Sequence, residues 1–178
     1  VIMLTSTQEK YLATIPETDI AKVNLWDPAA AEFAKYLVKK LRDALPNTEV
    51  FWSGALALGI SGLNDIDLSI LAKLEDFGTD IPKIVSILGE PKVKGVEKVL
   101  WRTIKNGYRV DAYLGSKDSE DIKLHKKIFQ ILSADPNLLK EYELLKADAN
   151  GTPFREYQKR KFEFYNRILT PTETPQEK

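Results

Sequence analysis

Cysteine is missing from this 178-residue chain, and histidine and methionine occur once each. Without cysteine there is no disulfide, no thiolate zinc site and no cysteine nucleophile, and the redox compartment stays open. A single histidine rules out a histidine-built metal cluster. That residue, His125, lies within Lys123-Leu124-His125-Lys126-Lys127, a neighbourhood too basic for an easy catalytic triad. Any metal site must therefore be built from oxygen ligands, which suit magnesium, calcium or manganese. An excess of charge is absent too, since 26 Lys and Arg face 26 Asp and Glu. No global field draws the chain to nucleic acid or an acidic membrane, so any basic surface has to be local. No apolar run reaches bilayer length, and no basic stretch followed by a long apolar one opens the sequence. A soluble, cytoplasmic protein without a membrane partner is the expectation.

What is present reads as an ordinary globular chain: 43% hydrophobic and 29% charged residues are enough for one full core at this length. Residues 1–26 mix apolar and polar positions without a period, which predicts an N-terminal arm or a short helix. Asp27-Pro28 is a helix start, with Asp at the N-cap and Pro at the first helical position. Phe33, Tyr36, Leu37 and Leu41 follow helical spacing up to Leu45, where Pro46-Asn47 stops it. Thr48 to Ser53 reads as a strand, Gly54 to Gly59 as a small-residue turn or short helix, and Asp65 to Leu71 as a second strand. A helix over Ile81 to Leu88 ends at Gly89-Glu90-Pro91. Strands at Val96 to Ile104 and Tyr108 to Leu114 flank Asn106-Gly107, the strongest short hairpin signal. Beyond Gly115 the chain reads as helical over roughly 118–133, 136–148 and 153–169, with breaks at Asp135-Pro136 and Asn150-Gly151. The order predicts an α/β (α+β) fold: one mixed sheet flanked by helices, in a single domain over 27–169 whose part from about 116 is helical. The Pro, Thr, Glu and Gln of 170–178 predict a disordered tail.

Asp65-Ile66-Asp67 sets two carboxylates two residues apart. On a strand, period 2 sends both to one face, about 7 Å apart. Two unpaired aspartates there are unfavourable unless something positive lies between them. Asp111, between Val110 and Ala112, adds a third from the hairpin. Three such carboxylates on neighbouring strands would make an oxygen cage for one or two Mg²⁺ or Mn²⁺ ions. The structural alternative has Asp65 capping the strand, Asp67 facing solvent and Asp111 paired with Arg109 or Arg102.

Gly54-Ala55, nine residues from Leu56 to Asn64, Asp65-Ile66-Asp67, and then Val110-Asp111-Ala112 resemble the signature of the nucleotidyltransferase superfamily. Val23-Asn24-Leu25-Trp26-Asp27-Pro28, Gly115-Ser116, Ala134-Asp135-Pro136 and Glu141-Tyr142-Glu143-Leu144-Leu145-Lys146 resemble, more particularly, the GrpB family within it. The resemblance implies a nucleotidyltransferase-type fold and Mg²⁺-dependent transfer of a nucleotidyl group from an NTP to an acceptor hydroxyl. That acceptor is a small molecule, a protein or an RNA. Asp65 and Asp67 would hold the metals, and Asp111 would bridge the second metal or act as general base. Ser53, Gly54, Ala55, Arg109, Lys126 and Lys127 would bind the nucleotide. The chain departs from the pattern at Ala55, where the superfamily usually has a phosphate-holding Ser, and at Leu58, where it often has Arg. At Asp111 it carries aspartate where GrpB-like sequences carry histidine nearby. A metal- or nucleotide-binding regulatory module is therefore the alternative function. Trp101 and Tyr108 are expected to pack rather than to stack on a base, and so are the aromatics of the basic C-terminal helix.

Overall fold

The computed structural model describes residues 3–170; the predicted tail lies outside them from residue 171 on. In chain order, helix α1 (Ser6–Ala13) and helix α2 (Pro28–Ala44) precede strand β1 (Glu49–Ser53) and the short helix α3 (Gly54–Leu58). Strand β2 (Ile66–Ala72), helix α4 (Phe77–Leu88), strand β3 (Val93–Lys94), strand β4 (Lys98–Lys105) and strand β5 (Tyr108–Ser116) follow. Helices α5 (Glu120–Ala134), α6 (Pro136–Asp148) and α7 (Phe154–Leu169) close the chain. The expected mixed α/β architecture is thus met, and no helix among the described residues is long and apolar enough to cross a membrane. Two compact units result: Asn24–Phe129 is one, and the two ends of the chain together form the other.

In the central unit five strands lie in the order β1-β2-β5-β4-β3. Neighbours are antiparallel except β2 and β5, which run parallel. One face of the sheet is apolar because alternate residues of each strand are: Ile66, Leu68 and Ile70 on β2, Val110, Ala112 and Leu114 on β5, and Val99 and Trp101 on β4. Helix α2, capped by Asp27 on the amide of Ala29, lays Ala30, Ala34, Leu37 and Leu41 into this core at helical spacing. Ile84 and Leu88 of α4 complete it. Trp101 is fully buried with its indole N–H donating to the Gly89 carbonyl at 2.8 Å, and Tyr108 stacks on Phe33 with ring centroids 5.9 Å apart. Both aromatics pack, as expected. The other face carries the polar half of the alternation and, at its β1 end, Phe51 meets Phe129 of α5 edge-on.

Three boundaries differ from the sequence reading. Helix α4 begins at Phe77, four residues before the expected start at Ile81, and contains Pro82 in its early turns. The added turn is held by burial of Phe77 and by the Thr48 hydroxyl donating to Asp80 at 2.8 Å. Strand β3 went unread because two exposed residues show no alternation. Strand β2 begins at Ile66, so Asp65 precedes the ladder instead of opening it.

In the unit formed by the chain ends, the N-terminal segment is a helix with a reciprocal Thr5–Gln8 capping box. Tyr11 of α1 meets Phe162 of α7, and Gln8 donates to Asn166 at 3.0 Å. Helices α6 and α7 join through Tyr142, which stacks on Phe164 and shares a 2.7 Å hydroxyl–hydroxyl bond with Tyr165. The aromatic residues of the basic helix are packing residues.

Candidate metal centre

The strand registers set one row of side chains across four strands. Ser53 of β1 is the partner of Asp67 of β2, Asp67 of Asp111 of β5, and Asp111 of Arg102 of β4. All four lie opposite the apolar core, since each has core residues as its sequence neighbours in the strand. Adjacent strands are about 4.8 Å apart, so the in-register pairing of Asp67 with Asp111 alone puts two carboxylates side by side. Asp65, two residues earlier on the same face, completes the group: oxygens of Asp65, Asp67 and Asp111 lie within 4.8 Å of one another.

With Asp65 outside the ladder, its place depends on the turn before it. Asn64 has φ 57°, a left-handed conformation that asparagine tolerates. Its side-chain amide donates to the Leu25 carbonyl at 2.9 Å. Asn24 and Gly62 exchange backbone bonds of 2.7 and 3.0 Å, and the Trp26 indole donates to the Leu56 carbonyl of α3 at 3.0 Å. The segment 24–27 therefore braces both the turn that carries Asp65 and the short helix after Gly54. Apart from the Asp27 cap, sequence reasoning marked these residues only as a resemblance; every contact has a backbone group on at least one side, which leaves no compositional trace.

Gly54 makes room for the second aspartate. Its φ is 84°, and a Cβ built there would lie 2.2 Å from Oδ2 of Asp67. Both the backbone conformation and the approach of the carboxylate require glycine. Ala55 follows at the start of α3 without a hydroxyl to offer.

Asp111 is held by two guanidinium groups. Arg102 donates through Nε to Oδ1 at 2.9 Å, and Arg109 donates through Nε and Nη2 to Oδ2 at 3.1 and 2.6 Å. The pairing that sequence left open between Arg109 and Arg102 is made by both. The hydrogen bonds to Asp111 raise the pKa of Arg109 above its ordinary value; burial opposes this, and the charges of Asp111, Asp65 and Asp67 add to it. Arg102 could have been placed by counting back across the hairpin from the two-residue Asn106-Gly107 turn, which pairs Lys105 with Tyr108 and so Arg102 with Asp111.

Lys126 is elsewhere. It pairs with Glu49 and sits 5.5 Å over the Phe51 ring. Glu49 is four residues from Ser53 along β1, roughly 13 Å at strand rise, so Lys126 does not reach the carboxylates in this conformation. Lys127 is exposed. The structure thus groups Ser53, Gly54, Asp65, Asp67, Asp111 and Arg109, and leaves the two lysines apart. The triad is partly buried, and two surface concavities, about 470 Å³ beside Arg42 and Trp52 and about 440 Å³ beside Tyr113 and Ser119, are lined by other residues.

As a donor set the group suits a hard cation. Three carboxylates offer oxygen only, from two strands and a braced turn, without nitrogen or sulfur to favour zinc or copper. Each carboxylate oxygen has two lone-pair sites, so the arginine bonds on Asp111 leave it acceptor capacity.

No family model matches the sequence, and no curated protein matches it. Several solved structures are similar to the fold. One is Cid1, described with RNA terminal uridylyl transferase activity: 14% identity, TM-score 0.49, covering 78% of this chain and 43% of that one. Another is the GLD-2/RNP-8 complex, with 14% identity, TM-score 0.47, and 86% and 62% of the two chains covered. A cytoplasmic RNA terminal U-transferase matches at 14% identity and TM-score 0.42 over 76% of this chain and 44% of that one. This chain spans less than two thirds of the length of each.

Proposed function

We propose that this chain is a divalent-cation-dependent nucleotidyltransferase of the GrpB-like kind, cytoplasmic, moving a nucleotidyl group from an NTP to an acceptor hydroxyl. The observation that carries the reading is the in-register meeting of Asp67 and Asp111 on parallel strands, with Asp65 alongside. In a row that alternates with core residues, three converging carboxylates are costly without countercharge, and the arginines are seated on Asp111 rather than on Asp65 or Asp67.

Asp65 and Asp67 would hold Mg²⁺ or Mn²⁺, and Asp111 would help hold a second ion or accept the acceptor's proton. When bound, the cation neutralises the phosphates and lowers the pKa of the attacking hydroxyl. The acceptor oxygen forms a bond to the α-phosphorus, the bond to the β-phosphate oxygen breaks, and pyrophosphate leaves. Ser53, with the backbone of Gly54 and Ala55, borders the phosphates, and Arg109 is within reach of them. A role for Lys126 or Lys127 requires α5 side chains to leave their present positions, for Lys126 the pair with Glu49. The acceptor is a small molecule, a protein or an RNA.

A second reading, a module that binds metal or nucleotide without turnover, is favoured by the double arginine hold on Asp111 and by Ala55 at the hydroxyl position. Incubation with α-³²P-labelled NTPs, Mg²⁺ and an acceptor panel separates the two. Label transfer that is lost in Asp65→Asn and Asp67→Asn, with both variants folded, is the expected result. Retained binding without transfer supports the module. An NTP and a metal that bind no better to the native chain than to Asp67→Asn would refute both.

A further inference from the structure

Asp111 is clasped by guanidinium groups from both sides. Its side chain is 16% exposed, whereas those of Arg102 and Arg109 are 47% and 44% exposed. Both arginine side chains therefore keep nearly half of their surface in solvent while they hold the carboxylate. A guanidinium carries five N–H donors in a planar fork. Arg102 spends one on Asp111 and Arg109 spends two, and among the described residues Asp111 is their only carboxylate partner. The rest of both forks is free for an anion.

The charges set up a conflict for any single ligand. Two guanidiniums facing Asp111 leave the group less negative than the bare triad would be. A divalent cation arriving alone meets a field weakened by the guanidiniums and an Asp111 with little acceptor capacity left, mainly on Oδ1. A triphosphate arriving alone meets carboxylates. Arriving together, each removes the other's obstacle. Phosphate oxygens accept bidentate bonds from the arginine forks, and Asp111 is released toward the cation.

We infer that Arg102 and Arg109 couple metal binding to nucleotide binding by exchanging partners, from Asp111 in the free protein to the triphosphate in the complex. Arg102 thereby becomes a substrate-binding residue, although nothing in the nucleotidyltransferase-like signature marks it. The inference rests on the triad being the metal site of the function proposed above. Opposite effects of one substitution on two ligands distinguish this exchange from simple structural support. Removing the arginines should tighten the metal alone and weaken the nucleotide.

The test uses the full chain, with Mn²⁺ followed by electron paramagnetic resonance, with and without a non-hydrolysable NTP analogue. For the native chain the analogue is expected to strengthen Mn²⁺ binding roughly 5–150-fold, the usual span of such couplings. Arg102→Gln with Arg109→Gln should bind Mn²⁺ alone about tenfold more tightly than the native chain. It should bind the analogue more weakly and lose most of the coupling. Arg102→Lys keeps the charge but not the fork, and should fall between. Should the double variant fail to fold by circular dichroism, Arg102→Gln alone, at a half-exposed position, reads the same quantities. Folded variants that bind Mn²⁺ alone no more tightly than the native chain would overturn the exchange while leaving the triad as a metal site. A native chain that takes up no Mn²⁺ with or without the analogue would overturn the triad reading and the exchange with it.

Discussion

Alanine at position 54 would set a methyl group 2.2 Å from Oδ2 and 3.2 Å from Cγ of Asp67. Real Cβ atoms do not approach this closely, so the carboxylate must retreat by roughly 1 Å or the turn must open. Two costs add. A non-glycine residue at φ 84° costs about 1–2 kcal/mol, and forcing the Asp67 side chain off its rotamer about 0.5–1.5 kcal/mol more. Gly59 supplies the internal control. It ends the same short helix at φ 73°, yet a Cβ there meets nothing within 4 Å. Gly59→Ala should therefore show the backbone cost alone and leave the triad undisturbed. Urea unfolding should rank Gly54→Ala about 1 kcal/mol below Gly59→Ala. Mn²⁺ titration should show a loss of about 10–100-fold in affinity for the first only, the range found when a ligand's support is removed. Equal stabilities together with equal Mn²⁺ affinities would refute the claim that Gly54 exists to admit Asp67.

Asn64→Ala removes the 2.9 Å bond to the Leu25 carbonyl and places alanine at φ 57°, for a combined cost of about 2–3 kcal/mol in urea unfolding. Asn64→Gly keeps the conformation without the tie, so it should be less destabilised than the alanine variant while Mn²⁺ affinity still falls; an Asn64→Gly chain that binds Mn²⁺ like the native one would remove the brace from the account. Mn²⁺ at a hundred times its Kd should stabilise the folded chain by about 2.7 kcal/mol, seen as a rise in Tm that EDTA reverses. Asp67→Asn should gain no stability when Mn²⁺ is added.

Where the sequence was readable, it was readable for local reasons. Asp27-Pro28 and Asp135-Pro136 each start a helix, because an N-capping carboxylate and a proline at the first turn satisfy or remove orphan donors. Asn106 and Gly107 take φ 51° and 80° and close the β4–β5 hairpin, since few other pairs adopt two left-handed residues in succession. A period of two led to the grouping of Asp65 with Asp67, yet Asp65 precedes the ladder and the turn at Asn64 sets its place. That Asp67 lies level with Asp111 did not follow from it, because register between strands separated by α4 and the β3–β4 segment is decided by packing of the whole sheet. Nor did the position of Lys126, which helical spacing leaves open and an ion pair with Glu49 decides. The double hold on Asp111 was legible only as two named possibilities, since a sequence lists candidate partners and leaves their simultaneous use to geometry.

The single parallel pairing, β2 against β5, has a consequence for how the molecule comes together. Strands β1 and β2 form one antiparallel flap and β3, β4 and β5 another, each joined by nearby chain, and the β2–β5 seam is all that unites them into one sheet. Asp65 and Asp67 belong to the first flap; Asp111, Arg102 and Arg109 belong to the second. One flap thus brings two negative charges to the seam, and the other brings one net positive charge. Opposite signs meet where three bare carboxylates would have pushed the flaps apart. The arginines supply countercharge from within the chain, so closing the seam does not require a metal ion.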